Sequence, residues 1–358
     1  MKLKELGIIC LLTFCSKYSA YSENRLVVYP APAPTFGLQA QDVDDTTCSR
    51  LTSPNGKYVF ETCQKHLPDG GKQLYYTLSF GGKEVVRESE LGVLIENQLF
   101  ESALAIPNDS CKTWTANLNL IETRTSSADS IWKPVYGERA AVRDHYNQLE
   151  LAFLKGNNTG KNSNDSYDKR RYYKMNIIVR AYNQGIAFRY FFPEADNGLF
   201  LHIVGEQTQF VMPEGTMAYY ENWAQGPYHY LPLKDWPGES ERPLTMKLSN
   251  GLTVALTEAQ MTDYARMKFC LAKENTLKVS LYGSVDVITP YSTPWRVIMA
   301  GEKATELIAN NDIILNLNTE NKIKDTSWIR PGKAIRVGKL TQADAMKCVD
   351  FAAERGLQ

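Results

Sequence analysis

The chain has 358 residues, and its 40 basic and 40 acidic side chains leave no formal net charge. A chain of this length can bury a large core. Without a net positive field it carries no sign of binding nucleic acid or an acidic membrane surface, so neither partner is predicted.

The N-terminus has the pattern of an export signal. Two lysines precede an apolar core at Leu6–Phe14, and Tyr18-Ser19-Ala20 suits signal cleavage. Residues 1–20 are therefore predicted to be a signal peptide, and the protein to be periplasmic. A lipoprotein signal at Cys15 is the alternative, which the bulky residue before it disfavours. No later apolar run has the length of a transmembrane helix.

Two of the seven cysteines flank a turn signal, Ser53–Lys57. A two-residue hairpin centred on Asn55-Gly56 places Cys48 directly opposite Cys63. In that register the two cysteines occupy a hydrogen-bonded pair, a spacing that suits a disulfide less well. The sequence leaves two alternatives open, a disulfide bridge between them and two free thiols. None of the cysteines outside the signal shows metal-ligand spacing.

Most of the chain reads as β-structure. Residues 21–47 are proline-rich and predict an extended tether. From residue 48 onward, short β-rich runs alternate with turn signals, as at Leu74–Phe80 and Lys83–Arg87 around Gly81-Gly82. Other predicted strands are Met175–Ala181, Ile186–Phe192, Leu244–Leu248, Leu252–Leu256, Lys278–Tyr282, Trp295–Ala300 and Ile313–Leu317. The predicted fold class is mainly β, a large two-sheet antiparallel sandwich over residues 48–320.

The pattern changes in residues 321–358. An apolar run at Ala334-Ile335-Arg336-Val337 precedes an apolar stripe at helical spacing within Ala343–Glu354. These runs predict a strand and a helix, the first unit of a truncated (β/α)₈ barrel. An isolated unit leaves strand edges unpaired, so we expect a further domain beyond Gln358.

The densest group of aromatic and polar side chains lies in Met217–Leu233. Aromatic faces suit the C–H faces of sugar rings, which makes Tyr219, Trp223 and Tyr228 candidate substrate-binding residues. Glu221 is the one carboxylate of the segment. The alternative is a tyrosine-rich edge of the sandwich.

No self-contained catalytic motif is found: G-x-S-x-G, a Walker loop, G-x-G-x-x-G after a strand and H-E-x-x-H are all missing. Four other carboxylates lie near aromatic residues, and each has a structural interpretation as an arginine partner or a turn cap. They are Glu138, Asp144, Glu258 and Asp263. Trp295 and Trp328 are interpreted as packing residues at a domain seam, and the four histidines as structural or surface residues.

Five segments, in this order, resemble glycoside hydrolase family 97: Trp132–Glu138, Arg143–Asn147, Arg180–Tyr190, Thr293–Arg296 and Lys324–Lys333. The resemblance runs from about Ser53 to the end of the chain. It implies an exported bacterial α-glycosidase, an α-glucosidase or α-galactosidase acting on α-linked oligosaccharides, with a β-sandwich packed on a catalytic barrel. The catalytic carboxylates are then expected beyond Gln358. No catalytic residue is expected in this chain. Retaining and inverting chemistry both remain open.

The resemblance also implies a calcium ion at the active site of the complete enzyme, with one glutamate ligand from the sandwich. The corresponding position here is Gln225, which offers a neutral amide oxygen where a carboxylate is expected. Glu221 and Gln225 are both candidate ligands, and an altered metal site is the remaining alternative. The alternative to the enzyme is a non-catalytic carbohydrate-binding or structural β-sandwich module.

Overall fold

The computed structural model describes residues 47–68, 71–96, 115–155, 173–193 and 198–357. The predicted signal peptide and nearly all of the tether lie outside these residues. Short strands dominate what is described, and their bounds are β1 Thr47–Thr52, β2 Tyr58–His66, β3 Lys72–Phe80, β4 Lys83–Glu90, β5 Val93–Ile95, β6 Leu118–Trp132, β7 Val142–Lys155, β8 Tyr173–Tyr182, β9 Ile186–Phe192, β10 Phe200–Glu206, β11 Gln209–Val211, β12 Met217–Tyr220, β13 His229–Pro232, β14 Leu244–Lys247, β15 Thr253–Ala259, β16 Met267–Lys273, β17 Thr276–Leu281, β18 Val285–Ile288, β19 Tyr291–Ser292 and β20 Trp295–Gly301.

The strands form two large antiparallel sheets and one small one. A seven-stranded sheet has the order β1-β2-β3-β4-β11-β17-β16, and a three-stranded sheet the order β18-β10-β5. The ten-stranded sheet runs β13-β12-β14-β15-β20-β9-β8-β7-β6, with β19 paired to β9. The predicted hairpins around residues 81–82, 183–185 and 250–251 are all present.

The two large sheets pack face to face. The ring of Phe188 on β9 lies 5.3 Å from the ring of Tyr76 on β3 and 6.2 Å from that of Phe60 on β2. The buried Tyr58 hydroxyl donates to the Ala300 carbonyl at 2.8 Å, which also joins the sheets. Strand β2 alternates buried and more exposed residues, as expected when one face meets the core. The predicted two-sheet sandwich is confirmed.

The first hairpin corrects one prediction. Cys48 and Cys63 lie opposite each other and form a disulfide, with their Cα atoms 4.1 Å apart. The Ser53 amide donates to the Tyr58 carbonyl at 3.0 Å, so the turn closes over four residues rather than two. The residue partners stay as predicted, but hydrogen-bonded and non-hydrogen-bonded pairs exchange places along the ladder. The cysteines therefore occupy a non-hydrogen-bonded pair, whose short Cα spacing matches the one observed. The predicted hydrogen-bonded position was wrong.

Part of the outer face of the ten-stranded sheet, around β15, β20 and β7, is covered by two short helices, α1 at Ala304–Ala309 and α2 at Asp312–Leu317. The prediction of a strand at Ile313–Leu317 was therefore wrong. Ile313 and Leu317 are buried and four residues apart, a helical spacing that a short apolar run does not reveal on its own. Because both faces of β20 are covered, all seven of its residues are buried.

The C-terminal segment contains one helix, α3 at Gln342–Arg355. The predicted helix is present, whereas Ala334-Ile335-Arg336-Val337 does not form the predicted strand. Within the described residues no strand pairs with this run, and a strand without a partner leaves its backbone groups unsatisfied. No residue of α3 is buried, and Trp328 in the preceding segment is 65% exposed. Among the described residues, no helix has the length and apolar content needed to cross a membrane.

Candidate functional site

The aromatic segment singled out in the sequence forms a hairpin at one edge of the ten-stranded sheet. Strands β12 and β13 pair antiparallel, with Tyr219 opposite Tyr230. Residues 221–228 connect them and are called the hairpin loop below. Pro232 ends the edge strand β13, where its missing N–H leaves no gap in the ladder.

A tight turn shapes the tip of the hairpin loop. The Gly226 amide donates to the Trp223 carbonyl at 2.8 Å. Between them, Gln225 has a φ of 74°, a left-handed conformation that is unfavourable for a side chain of this kind. A Cβ on Gly226 would lie 2.9 Å from Trp223 Nε1 and from the Trp223 carbonyl, so only glycine allows this close approach.

The carboxylate of Glu221 braces the hairpin loop from inside. Its Oε1 accepts a hydrogen bond from the Gly226 amide at 3.1 Å. The same carboxylate lies beside the Tyr228 hydroxyl and raises the pKa of Tyr228, because it favours the neutral phenol over the phenolate. Glu221 therefore connects the start of the loop to its tip and lies beside Tyr228 at its end.

These contacts bear directly on the calcium hypothesis. Calcium takes about six to eight oxygen ligands. Of the two candidates, Glu221 already accepts hydrogen bonds, and Gln225 supplies one amide oxygen from an exposed turn. Within the part of the chain that the structure describes, no group of three or more His, Cys, Asp or Glu side chains comes together. The hairpin loop alone therefore does not fit a calcium ion.

The predicted substrate-binding residues fall into two environments. Trp223 and Tyr228 are 56% and 64% exposed, so their rings are open to a ligand. Tyr219 is half-buried, and its ring lies 4.8 Å from the ring of Tyr230 across the hairpin. The exposed pair can stack on a sugar, whereas Tyr219 supports its neighbour.

The base of the hairpin loop is fastened to the adjacent chain. The Glu221 amide donates to Ser240 Oγ at 3.2 Å, and the Glu221 carbonyl accepts from the Glu241 amide at 2.7 Å. On the next residue, the Asn222 carbonyl accepts from Lys268 Nζ at 2.8 Å. The loop thus leaves the sheet at a fixed point.

Behind this base lies a row of alternating charges, here called the buried charge array. It consists of Glu206, Arg296, Glu258, Arg242, Glu241, Arg266 and Lys268. Arg296 Nε donates to Glu206 at 3.1 Å and Arg296 Nη1 to Glu258 at 2.9 Å, while both acids and the arginine are at most 5% exposed. Contact with the two carboxylates raises the pKa of Arg296 against the opposing effect of burial. Arg296 is therefore held as a cation between the two carboxylates.

The far part of the array reaches the hairpin loop. Arg242 Nε donates to Glu258 at 2.5 Å, and its Nη1 donates to Glu241 at 3.1 Å. Arg266 Nη1 donates to both oxygens of Glu241 at 2.6 Å. Burial acts to raise the pKa of Glu241, but hydrogen bonds from Arg266 and Lys268 outweigh it, and the pKa is lowered.

Sequence reasoning missed this array. Glu258 was interpreted as a turn cap, and the remaining members were not singled out. One signal was available: Arg296 stands inside the apolar strand β20, and a charge among core residues requires a buried partner. The identity of that partner depends on long-range contacts, which sequence spacing does not provide.

The other carboxylate candidates remain apart from the hairpin loop contacts. The arginines next to Glu138 and Asp144 in the sequence pair with other acids, Arg139 with Asp312 and Arg143 with Asp129. Asp144 is fully buried on β7. Trp295 is buried as predicted for a packing residue, and its Nε1 donates to Gln260.

Comparison with known proteins identifies the class. The family model described as Glycosyl-hydrolase 97 N-terminal matches residues 51–319. The chain therefore belongs to glycoside hydrolase family 97, and the matched part is the N-terminal domain of that family. The resemblance inferred from the sequence is confirmed.

Two curated relatives are α-galactosidases by name. The retaining α-galactosidase of Bacteroides thetaiotaomicron is 23% identical over 340 residues, which cover 84% of this chain and 44% of the relative. A probable retaining α-galactosidase of Streptomyces bingchenggensis is 26% identical over 196 residues, 51% of this chain and 30% of the relative. The chain thus spans less than half the length of these curated relatives.

Solved structures agree with this assignment. A family 97 enzyme from Pseudoalteromonas sp. strain K8, in complex with panose, superposes with a TM-score of 0.69 at 25% identity, over 87% of this chain and 46% of that one. The same enzyme in complex with acarbose gives the same TM-score. A β-arabinopyranosidase at 18% identity and a TM-score of 0.64 shares the fold.

Proposed function

We propose that this chain is the N-terminal, non-catalytic part of an exported α-glycosidase that hydrolyses α-linked glucosides or galactosides. The family match over residues 51–319 carries the proposal. The names of the relatives and the panose and acarbose complexes support α-linked oligosaccharides as substrates. The predicted signal peptide supports export to the periplasm.

Within that protein, the hairpin loop is proposed to contact the oligosaccharide. The supporting observation is its geometry: two exposed aromatic side chains, Trp223 and Tyr228, are presented on a loop that is braced by Glu221. A rigid aromatic pair loses little conformational freedom on stacking against a sugar, which favours binding. The catalytic carboxylates are assigned to a part of the protein outside this chain.

A nuclear magnetic resonance titration tests the contact. Each of the six tryptophans has one indole Nε1–H signal, and the Trp223→Phe variant identifies the signal of Trp223. With about 10 mM panose, a concentration that detects millimolar binding, we expect this signal to shift while the signal of buried Trp295 stays fixed. Raffinose tests an α-galactoside in the same way.

Matched tyrosine variants provide the control. Tyr228→Ala is expected to abolish the Trp223 shift, and Tyr136→Ala, which removes an equally exposed tyrosine elsewhere, is expected to leave it intact. A Trp223 signal that does not respond to either saccharide would remove the hairpin loop from the sugar site.

Hydrolysis separates the enzyme part from a self-sufficient module. The chain alone is expected to leave aryl α-glucosides and aryl α-galactosides intact. Sustained turnover that a substitution within residues 217–263 abolishes would contradict the assignment of catalysis to another part of the protein.

A stand-alone carbohydrate-binding module is the second candidate, because the exposed Trp223 and Tyr228 are both present in this chain. Submicromolar saccharide binding by the chain alone would favour it.

Calcium ligation by this loop remains a hypothesis from the family resemblance. Because Glu221 already braces the loop, we expect calcium to leave the melting temperature of the chain unchanged, and to do so equally in Glu221→Ala and Gln225→Ala. A calcium-dependent rise that either substitution removes would instead assign that residue as a ligand.

A further inference from the structure

We propose that Lys268 is a positioning residue that fixes where the hairpin loop leaves the sheet. Its ammonium group donates to the Asn222 carbonyl at 2.8 Å and lies 3.3 Å from the Glu241 carboxylate. The Lys268 side chain is 15% exposed and the Glu241 side chain 5% exposed, so their contact is largely shielded from water, whereas the contact with Asn222 lies at the surface. Lys268 therefore connects the hairpin loop to the buried charge array.

The buried charge array gives the Lys268 contacts a rigid support. Its innermost cation, Arg296, is 1% exposed and is enclosed by Glu206 and Glu258. A buried charge that leaves its partner is penalised by desolvation, so these groups resist rearrangement. Strand β20 carries Arg296 and strand β15 carries Glu258, so the fixed charges belong to central strands of the ten-stranded sheet.

Two strand systems meet at the loop base. Arg242 connects Glu258 to Glu241, which brings the array to the chain segment that holds the Glu221 backbone. Lys268 comes from β16 of the seven-stranded sheet. The segment at Ser240 is itself bridged to Phe269 on β16. The hairpin loop is therefore fastened beside β16 at two adjacent residues, Glu221 and Asn222.

Replacing Lys268 does not leave Glu241 without a cationic partner. Glu241 keeps Arg242 at 3.1 Å and Arg266 at 2.6 Å when the lysine is absent. The carboxylate then stays charged and paired, which limits the general loss of stability. The Asn222 carbonyl, in contrast, loses the charged donor that Lys268 provides. The effect is therefore confined to the loop.

Hydrogen exchange on the whole chain tests the proposal. Lys268→Met keeps most of the length of the side chain, losing only its terminal ammonium group, and removes its charge, whereas Lys268→Arg keeps a charged donor. Lys273→Met, an exposed position on the same strand, is the matched control. In Lys268→Met we expect residues 221–228 to exchange about 10-fold faster, as loss of one charge-assisted hydrogen bond predicts. Lys268→Arg is expected to restore most of the protection.

The Trp223 indole signal supplies a spectroscopic readout. It should broaden or move in Lys268→Met and keep its place in Lys273→Met. Equal exchange in Lys268→Met and Lys273→Met would overturn the proposal. Faster exchange throughout the strands in Lys268→Met, or failure of that variant to fold, would also overturn it, because the residue would then be a general stability element.

The positioning role stands apart from sugar binding. Its link to recognition rests on the proposed function, whereas the exchange rates and the indole signal are measured without saccharide. Failure of the titration with panose would leave the positioning result unchanged, and a negative exchange result would leave the titration unchanged.

Discussion

The hairpin loop and helix α3 both expose apolar side chains, but they are held in opposite ways. Trp223 in the loop is 56% exposed and Val349 in the helix 58% exposed. The loop is fastened by Glu221 within and by Lys268 at its base. The helix has no buried residue, and its stabilising contacts are local, such as its N-cap at Thr341. Exposure in the loop is thus structurally specified, whereas among the described residues the helix has no buried side chain that would fix its position.

This difference separates two kinds of exposed surface. An exposed aromatic on a braced loop presents a fixed shape, which recognition of a small ligand requires. An apolar stripe on a helix held by local contacts provides area without a fixed position. The following variants disturb one region and leave the other untouched.

The largest effect is expected from Arg296. Replacing it with methionine leaves Glu206 and Glu258 without their shared cation in the interior, which should lower the free energy of unfolding by about 3–5 kcal/mol. Urea unfolding measures the loss. Arg143→Met removes an arginine whose partner Asp129 is exposed, and no measurable change is expected there. Equal effects of the two variants would contradict a stabilising role for the array.

The tip of the hairpin loop should respond next. In Gly226→Ala the added methyl group would meet Trp223 at 2.9 Å, and overpacking of this kind lowers stability by about 1–3 kcal/mol. Gly238→Ala is the matched control, because its nearest contact, the Tyr220 hydroxyl, would lie at an ordinary 3.7 Å. If both alanines shift the urea midpoint equally, the close packing at the tip is not the cause.

Helix α3 should respond on its own. Thr341 accepts a hydrogen bond from the Asp344 amide at 3.2 Å, and its loss in Thr341→Ala should lower helix stability by about 1 kcal/mol. Faster hydrogen exchange within residues 342–355 reports this loss. The urea midpoint of the sandwich should stay constant, and a decrease would show that the helix contributes to the sandwich after all.

The smallest effect is expected from acid, at the base of the hairpin loop. Burial acts to raise the pKa of Glu241, but Arg266 and Lys268 lower it below the unfolded value of about 4.3. A lowered folded pKa means that the contribution of Glu241 is complete above the unfolded pKa and is lost as pH falls through the folded one. The Trp223 indole signal should therefore stay constant from about pH 8 to 5. A transition between pH 5 and 6 would contradict the lowered pKa.

Sequence patterns predicted the local structure better than the long-range structure. Glycine turns and alternation located hairpins such as Leu74–Phe80 with Lys83–Arg87, because their determinants lie within a few residues. Ile313–Leu317 was mistaken for a strand because a short apolar run also suits a helix on a sheet. The candidate site was located by its aromatic residues. Its support by Arg296 and Lys268 was not, since those contacts join distant parts of the chain.

The hairpin loop is held as a fixed structure, whereas helix α3, within the described part of the chain, buries no side chain. Native-state hydrogen exchange on the unmodified chain compares them directly. We expect the Gly226 amide, which donates to Trp223 and Glu221, to exchange more slowly than the amides in the middle of α3. A Gly226 amide that exchanges as fast as those of the helix, or faster, would contradict the account.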